Sequence, residues 1–305
     1  MPGPFAHFTL FQKAKEYFMA QSLYTSVQQA LGDFSDYGLL GSNSPDFPIV
    51  ACDRLWEEYL HGSTAAAYIG SALSILRPLS GLPRQKFLAW FCGYLSHMVG
   101  DATIHPVVNL RVGPYMGHEK LHQICEIHQD AQVYPQLGLV GVTKCNFTRS
   151  VIETCCESSG NRTSLDPELV TFWQNLSSAA FPREEVPDFS KWFALYTGIV
   201  DKISEEGDWF HVRAITTVFR KKHLVQITPD QIDKTYIHGL PSPAGISISY
   251  DDLFNKAIEN TVQVWLDFSS ALENPASAPF PISARWNLNT GEIVDPKYLF
   301  WGVRS

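Results

Sequence analysis

The stretch FLAWFCGYLSHMVGDATIHP, residues 87–106, decides how this chain folds. Its apolar side chains recur every three or four positions, which predicts a buried helix over residues 84–104. Within it His97, Asp101 and His105 follow one another at four-residue steps, so they share one face of the helix. We expect the helix to end near His105, because a proline disfavours the α conformation in the residue before it. A carboxylate on so apolar a helix is costly to bury without a cation partner, which indicates a metal site.

A second predicted helix, over residues 117–134, carries the same kind of step. His122 stands four residues before Glu126, and Asp130 follows four residues later. Imidazole nitrogens and carboxylate oxygens are ligands that zinc accepts, so two such helices in one chain favour a metal site over surface ion pairs. His118 lies four residues before His122, so a His118/His122 register stays open. The acid in the second step favours His122 with Glu126.

The rest of the chain predicts a mainly α, multi-helix fold with a few short strands in the C-terminal half. Further helical patterns cover residues 8–31, 52–76, 166–180, 187–204 and 250–273. The Gly, Ser, Asn and Pro content of GLLGSNSPDFP, residues 38–48, predicts a loop. Residues 212–219 and 224–227 predict short strands. We expect residues 1–135 to form a metal-binding helical core, and residues 136–305 a helical extension that packs on it and covers its cleft as part of one compact unit.

Composition and charge exclude several classes of protein. The 305 residues are 45% hydrophobic and 18% charged, which is the composition of a folded chain. The formal charge of −8 argues against a broad electrostatic contact with nucleic acid. No apolar stretch reaches the ~18–20 residues of a membrane span. The N-terminal stretch lacks the basic-then-apolar layout of a secretory signal, so we expect a cytoplasmic location, with secretion by another route left open. The patterns leave the oligomeric state undetermined.

The order and spacing of four motifs resemble the zinc-dependent phospholipase C family over about residues 1–135. The motifs are the opening MPGPFAHFTLF, the stretch LLGSNSPDFP, the helix end GYLSHMVGDATIHPVVN and the helix HQICEIHQD. The resemblance implies an all-helical fold with a cleft that holds two or three zinc ions.

The resemblance also implies which residues hold those ions. The implied groups are Asp46, His61, His97 and Asp101 around one ion, His105, His122 and Glu126 around a second, and His7 with a bridging Asp101 at a third. His118 and Asp130 are candidates for an alternative ligand or for an outer contact that orients a ligand.

Clustered zinc ions favour the hydrolysis of phosphodiesters, because they lower the pKa of bound water and neutralise phosphoryl oxygens. Asp46 is the candidate to orient or deprotonate the attacking water, and the expected substrate is a lipid or small-molecule phosphoester. Residues 205–245, which contain Asp208-Trp209-Phe210-His211 and Arg213, are a candidate lid or phosphate contact. Two alternatives stay open. One is a metallohydrolase or biosynthetic enzyme on the same scaffold with a non-lipid substrate, and the other is a non-catalytic protein stabilised by zinc.

Overall fold

The computed structural model describes residues 3–22, 25–158, 161–205, 227, 229–274, 286–294 and 297–302. In chain order the described helices are α1 (Pro4–Met19), α2 (Ser26–Asp33), α3 (Ser35–Asn43), α4 (Phe47–Val50), α5 (Arg54–His61), α6 (Ala67–Leu76), α7 (Gly81–Val112), α8 (Glu119–Val133), α9 (Lys144–Thr154), α10 (Pro167–Ala180), α11 (Phe189–Glu205) and α12 (Tyr250–Glu273). Short 3₁₀ turns cover Ser44–Asp46, Tyr134–Leu137, Pro229–Gln231 and Lys234–Tyr236.

The strands of the described residues form two small antiparallel pairs. They are β1 (Leu240–Pro241) with β2 (Ser247–Ile248), and β3 (Glu292–Val294) with β4 (Lys297–Tyr298). Leu240 lies opposite Ile248, and Glu292 lies opposite Tyr298. The predicted mainly α fold with a few short strands is therefore confirmed. The strand predicted over 212–219 lies outside the described residues, as does the strand predicted over 224–227 apart from its last residue. Residues 208–213 of the candidate lid, and most of its first half, also lie outside them.

Helix α7 lies at the centre of the core, packed against α1, α2, α3 and α12. Several of its large side chains, among them Trp90 and Tyr94, are completely buried. Burial of each contributes about 2–3 kcal/mol relative to an exposed side chain. The Trp265 indole of α12 donates to the Cys92 carbonyl of α7 at 2.9 Å, which fixes the C-terminal helix against the centre. One hydrophobic core thus joins both halves of the chain, whereas the division at residue 135 stays a prediction.

The prediction that the central helix ends near His105 is wrong, because α7 continues through Pro106 to Val112. Proline has no N–H to give to the carbonyl four residues before it, and its ring crowds that turn. A distant segment packs against this turn. The Trp301 indole donates to the Thr103 carbonyl at 2.9 Å, and Gly291, which lacks a side chain, packs against the Ala102 carbonyl and the Pro106 ring. The helix ends instead at Gly113, whose φ of +95° suits glycine.

The loop predicted over residues 38–48 is also wrong, because these residues form most of α3, the turn Ser44–Asp46 and the start of α4. Its glycines serve helix packing rather than chain reversal. A Cβ on Gly41 would collide with the Trp90 carbonyl of α7, and one on Gly93 would collide with the backbone of α3. The missing side chains let the two helix backbones touch. The Trp90 indole then donates to Ser44 Oγ at 3.0 Å, which holds the turn that carries Asp46.

The other predicted helices are present with small differences. The pattern over 8–31 is divided into α1 and α2, and the pattern over 52–76 is divided into α5 and α6 near Gly62. The helix predicted over 250–273 coincides with α12. Among the described residues, none of the helices combines the length and the apolar character needed to cross a bilayer.

Candidate metal centre

Five elements bring the predicted ligands into the protein interior. They are α1 with His7, the turn Ser44–Asp46 with Asp46, α5 with His61, α7 with His97, Asp101 and His105, and α8 with His122 and Glu126. All of these side chains are buried except that of Asp46, which keeps 21% of its surface exposed. The predicted ligands thus converge from segments that are far apart in the sequence.

Five of them form a tight group, here called the His97 cluster; it consists of His7, Asp46, His61, His97 and Asp101. His97 Nε2 lies 3.3 Å from His61 Nε2 and 3.5 Å from Asp101 Oδ2. Asp46 Oδ1 lies 3.3 Å from His61 Nε2 and 3.8 Å from His97 Nε2. His7 stacks on His97 with ring centroids 3.9 Å apart, and its Nε2 lies 3.5 Å from Asp101 Oδ1.

This geometry contains two groups of three potential ligand atoms. Within each group, the three atoms lie within 4.8 Å of one another. The first group is His7, His97 and Asp101, and the second is Asp46, His61 and His97. Asp101 therefore lies with His7 as well as with His97, as the resemblance implies for a bridging carboxylate. His97 takes part in both groups.

The remaining three predicted ligands form a looser group, here called the Glu126 cluster; it consists of His105, His122 and Glu126. Glu126 Oε1 lies 3.8 Å from His122 Nδ1 and 4.0 Å from His105 Nε2. The two clusters are neighbours, since Asp101 Oδ2 lies 3.9 Å from His105 Nδ1. On α8 the structure thus places the side chain of His122 beside that of Glu126, as the His122/Glu126 register predicts.

Four of the predicted ligand histidines donate a ring N–H to a backbone carbonyl. The pairs are His61 Nδ1 with Glu57 at 3.2 Å, His97 Nδ1 with Ser42 at 2.9 Å, His105 Nδ1 with Leu288 at 2.5 Å, and His122 Nε2 with Gly113 at 2.7 Å. A carbonyl only accepts, so the proton of each neutral imidazole is on the bonded nitrogen, and the other nitrogen keeps its lone pair. In His61, His97 and His122 that lone pair belongs to the nitrogen nearest the cluster carboxylates, and in His105 it belongs to Nε2, which lies 4.0 Å from Glu126 Oε1. A histidine held by a carbonyl through one nitrogen and free to bind through the other is the usual arrangement around a metal.

Several buried polar atoms of the clusters have no hydrogen-bond partner among the described residues. They are both ring nitrogens of His7, both carboxylate oxygens of Asp101, Asp46 Oδ1, His105 Nε2 and His122 Nδ1. Buried polar atoms are nearly always satisfied, so such a concentration needs an explanation. Because these are the nitrogen and oxygen donors that zinc binds, the residues present fit a zinc site.

Charge in the site is also suited to a cation. Burial, with His97 nearby, lowers the pKa of His7 to about 3, and burial lowers that of His105 to about 4. Both are therefore neutral at pH 7, which is the form that binds metal. Burial raises the pKa of Asp101, but His105 and His97 outweigh it and hold that pKa well below its usual range. Burial lowers the pKa of His97, but Asp101 and Asp46 outweigh it and raise that pKa, so zinc competes with a proton there.

Asp130 contacts helix α1 rather than the ligands of its own helix. Its Oδ1 accepts from the Ala6 N–H at 2.6 Å, and Gly3, which lacks a side chain, allows this approach. Burial raises the pKa of Asp130 to about 6, although Lys144 at 4.0 Å opposes the shift. Asp130 thus holds the N-terminal turn of α1, which carries His7.

His118, the other candidate for an outer role, lies at the N-terminus of α8. Its Nδ1–H donates to the Pro114 carbonyl at 3.0 Å. The carbonyls that orient the ligands, including those of Ser42, Gly113 and Leu288, were missed because every residue carries a carbonyl. Only the folded chain shows which ones reach a histidine.

The chain thus has a helical fold in which buried histidine and carboxylate side chains point their ligand atoms at one another. These features are typical of helical metal-binding proteins. A family model described as zinc dependent phospholipase C matches residues 6–169, and this chain belongs to that family. At the level of the family it is a zinc-dependent hydrolase. No curated protein and no solved structure gives a significant match to the chain.

Proposed function

We propose that the chain hydrolyses a phosphodiester with zinc held by both clusters. The proposed ligands are His7, Asp46, His61, His97, Asp101, His105, His122 and Glu126. The observation that carries this proposal is the convergence of buried lone pairs. The ring nitrogens left free by the carbonyl contacts belong to the same groups as the unpaired oxygens of Asp101 and Asp46. Two or three ions, the number that the family resemblance implies, would satisfy these atoms.

When bound, zinc lowers the pKa of a coordinated water and neutralises the phosphoryl oxygens of the substrate. Asp46 is the carboxylate best placed to act on that water, since its side chain keeps 21% of its surface exposed while Asp101 keeps none. In the proposed reaction Asp46 orients the water and accepts its proton. The water oxygen bonds to phosphorus, the P–O bond to the alcohol breaks, and the leaving oxygen takes a proton. The products are a phosphomonoester and an alcohol.

The family description points to lipid phosphodiesters as the substrate class, and we propose a lipid phosphodiester for this chain. The match ends at residue 169, so the residues that follow it are the part of the chain that would adapt the site to one head group.

The metal content of the full chain tests the site. We expect two or three zinc ions per chain by inductively coupled plasma mass spectrometry, with fewer in Asp101→Ala and in His122→Ala. His128→Ala is the matched control, because His128 belongs to neither cluster: it stacks on Tyr236 with ring centroids 5.1 Å apart and accepts from the Asp233 N–H. A wild-type protein free of zinc after preparation in zinc-containing medium would contradict the proposal.

Turnover tests the reaction and the role of Asp46. We expect the zinc-loaded chain to release phosphorylated head group from phosphatidylcholine vesicles, and Asp46→Asn to lose most turnover while it keeps the zinc of the Glu126 cluster. Cleavage of soluble bis(p-nitrophenyl) phosphate with none of the lipid would favour the non-lipid metallohydrolase instead. Bound zinc with no turnover of either substrate would favour the non-catalytic alternative.

A further inference from the structure

The described end of the chain packs against the metal centre from outside the family match. We call residues 286–294 and 297–302 the C-terminal clasp. Within it Trp286 and Leu288 are buried in the hydrophobic core. The clasp lies beside the part of α7 that contains Pro106, which is also where His105 stands.

The backbone of one clasp residue contacts a ligand from each cluster. The Leu288 N–H donates to the His61 carbonyl at 2.8 Å, at the end of α5. The Leu288 carbonyl accepts the Nδ1–H of His105 at 2.5 Å. The first contact fixes the segment that carries His61. The second decides which nitrogen of His105 carries the proton.

Independent contacts hold Leu288 in this position. Asn109 Nδ2 of α7 donates to the Asn289 carbonyl at 2.9 Å, and the Trp301 indole donates to Thr103. The side chain of Asn287 accepts from the Asn289 N–H at 3.0 Å and from the Thr290 N–H at 3.2 Å, which closes the turn.

Gly291 completes that turn at the closest approach to α7. Its φ is +70°, and a Cβ there would collide with the Ala102 carbonyl and the Pro106 ring. A side chain at this position would therefore strain the backbone and push the turn away from the helix. Because Leu288 belongs to the same turn, its carbonyl would move with it.

We propose that the C-terminal clasp positions the zinc ligands His105 and His61, an inference that rests on the proposed function of these two residues. With Leu288 in place, the His105 proton is on Nδ1, and Nε2 faces Glu126. Without it, the ring is free to rotate or to move its proton to the nitrogen that should bind zinc. Loss of such an outer contact lowers metal affinity about 10–100-fold in known metal sites.

The test compares Gly291→Ala with Gly245→Ala in the full chain. Gly245 has a φ of +74° but no atom within 4 Å of its added Cβ, so it reproduces the backbone strain without the contact to α7. Zinc affinity is measured by competition with a chromogenic chelator, and the His105 tautomer by ¹⁵N NMR of the zinc-loaded protein. Melting temperatures show whether the two variants are equally folded.

We expect Gly291→Ala to bind zinc about 10–100-fold more weakly than Gly245→Ala and to lose the Nδ1–H signal of His105. Trp301→Phe, which removes only the donor to Thr103, should shift both readouts in the same direction by less, and it keeps the test valid if Gly291→Ala does not fold. Unchanged zinc affinity in both clasp variants, together with zinc loss in His105→Ala, would overturn the clasp while leaving the proposed function intact. A zinc-free wild type would instead overturn the proposed function.

Discussion

The His97 cluster and the Glu126 cluster use the same kinds of ligand but are supported differently. The His97 cluster lies where the backbones of α3 and α7 touch at Gly41 and Gly93. Its ligand atoms form two groups, and the atoms of each group lie within 4.8 Å of one another. The Glu126 cluster has carboxylate-to-imidazole distances of 3.8 and 4.0 Å. Its histidines are oriented by the carbonyls of Gly113, at the end of α7, and of Leu288, in the clasp.

The two clusters therefore represent two ways to hold metal ligands in place. Core packing supports the His97 cluster, and contacts from a helix end and a distant segment support the Glu126 cluster. Helix backbones in contact leave the His97 cluster little freedom to rearrange, because any shift opens a gap in the core. The Glu126 cluster depends on a helix end and a chain segment, which open more easily than a core. We therefore expect zinc to leave the Glu126 cluster first as chelator is added.

The largest effect is expected where the clusters meet. Asp101 contacts His7 and His97 at 3.5 Å and His105 at 3.9 Å, so Asp101→Ala should lower zinc content in both clusters and reduce turnover by about 10³-fold. Zinc per chain and kcat measure it. Asp101→Asn keeps the shape of the side chain, so it should lose only the part of zinc binding and turnover that depends on the carboxylate charge. Loss of zinc from just one cluster would show that Asp101 does not join them.

A change confined to the looser cluster should have a smaller and selective effect. His122→Ala should remove one zinc per chain and leave the rest, because its Nδ1 lies near Glu126 and not near the His97 cluster. His118→Ala is the comparison that decides between the two registers of α8, and we expect it to keep all of its zinc. Elemental analysis of both variants measures the result, and the reverse pattern would select the His118/His122 register.

The packing that supports the tighter cluster can be tested without touching a ligand. Gly41→Ala places a Cβ against the Trp90 carbonyl and should lower the free energy of unfolding by about 3 kcal/mol. Gly198→Ala, in α11 with nothing within 4 Å of the new Cβ, should instead raise it by about 0.5–1 kcal/mol. Urea unfolding measures both. Equal values for the two variants would argue against helix contact as the support of the His97 cluster.

The smallest effect concerns pH and the support of His7. The pKa of Asp130 is raised to about 6 from 3.8, so the folded state binds this proton more tightly than the unfolded state. Its contribution to stability is therefore present below about pH 4 and is lost as the pH rises through 6. Relative to Asp130→Asn, the wild type should lose about 2 kcal/mol between pH 4 and pH 7. A constant difference in thermal melts across this range would show that Asp130 does not titrate there.

The parts of the fold predicted from the sequence are those with local signals. The apolar periodicity of α7 and α12 and the four-residue steps of His97, Asp101 and Glu126 depend only on neighbours in the chain. The loop prediction at residues 38–48 failed because glycine permits both turns and close helix contacts, and only the partner helix decides between them. The prediction that the helix ends near His105 failed because the groups that pack against this turn, Gly291 and Trp301, are remote in the sequence.

The candidate site divides in the same way. The four-residue steps singled out His97, Asp101, His105, His122 and Glu126, whereas His7, Asp46 and His61 were named only through the family resemblance. Asp130, four residues after Glu126, was a candidate for an alternative ligand or for an outer contact, and in the structure it contacts the Ala6 N–H of α1. Spacing fixes the face of a helix but leaves open which neighbour that face meets, and the carbonyls of Ser42 and Leu288 carry no local signal.

The contact between His105 and Leu288 also orders events during synthesis. The two residues are 183 positions apart, and a ribosome that adds about 5–20 residues per second needs roughly 10–40 s to make the intervening chain. Through this interval the nascent chain holds His61, His105 and His122 without the segment that orients two of them. We therefore expect the zinc binding proposed for the Glu126 cluster to be a late step of biogenesis, completed only when Leu288 has emerged and docked on His105.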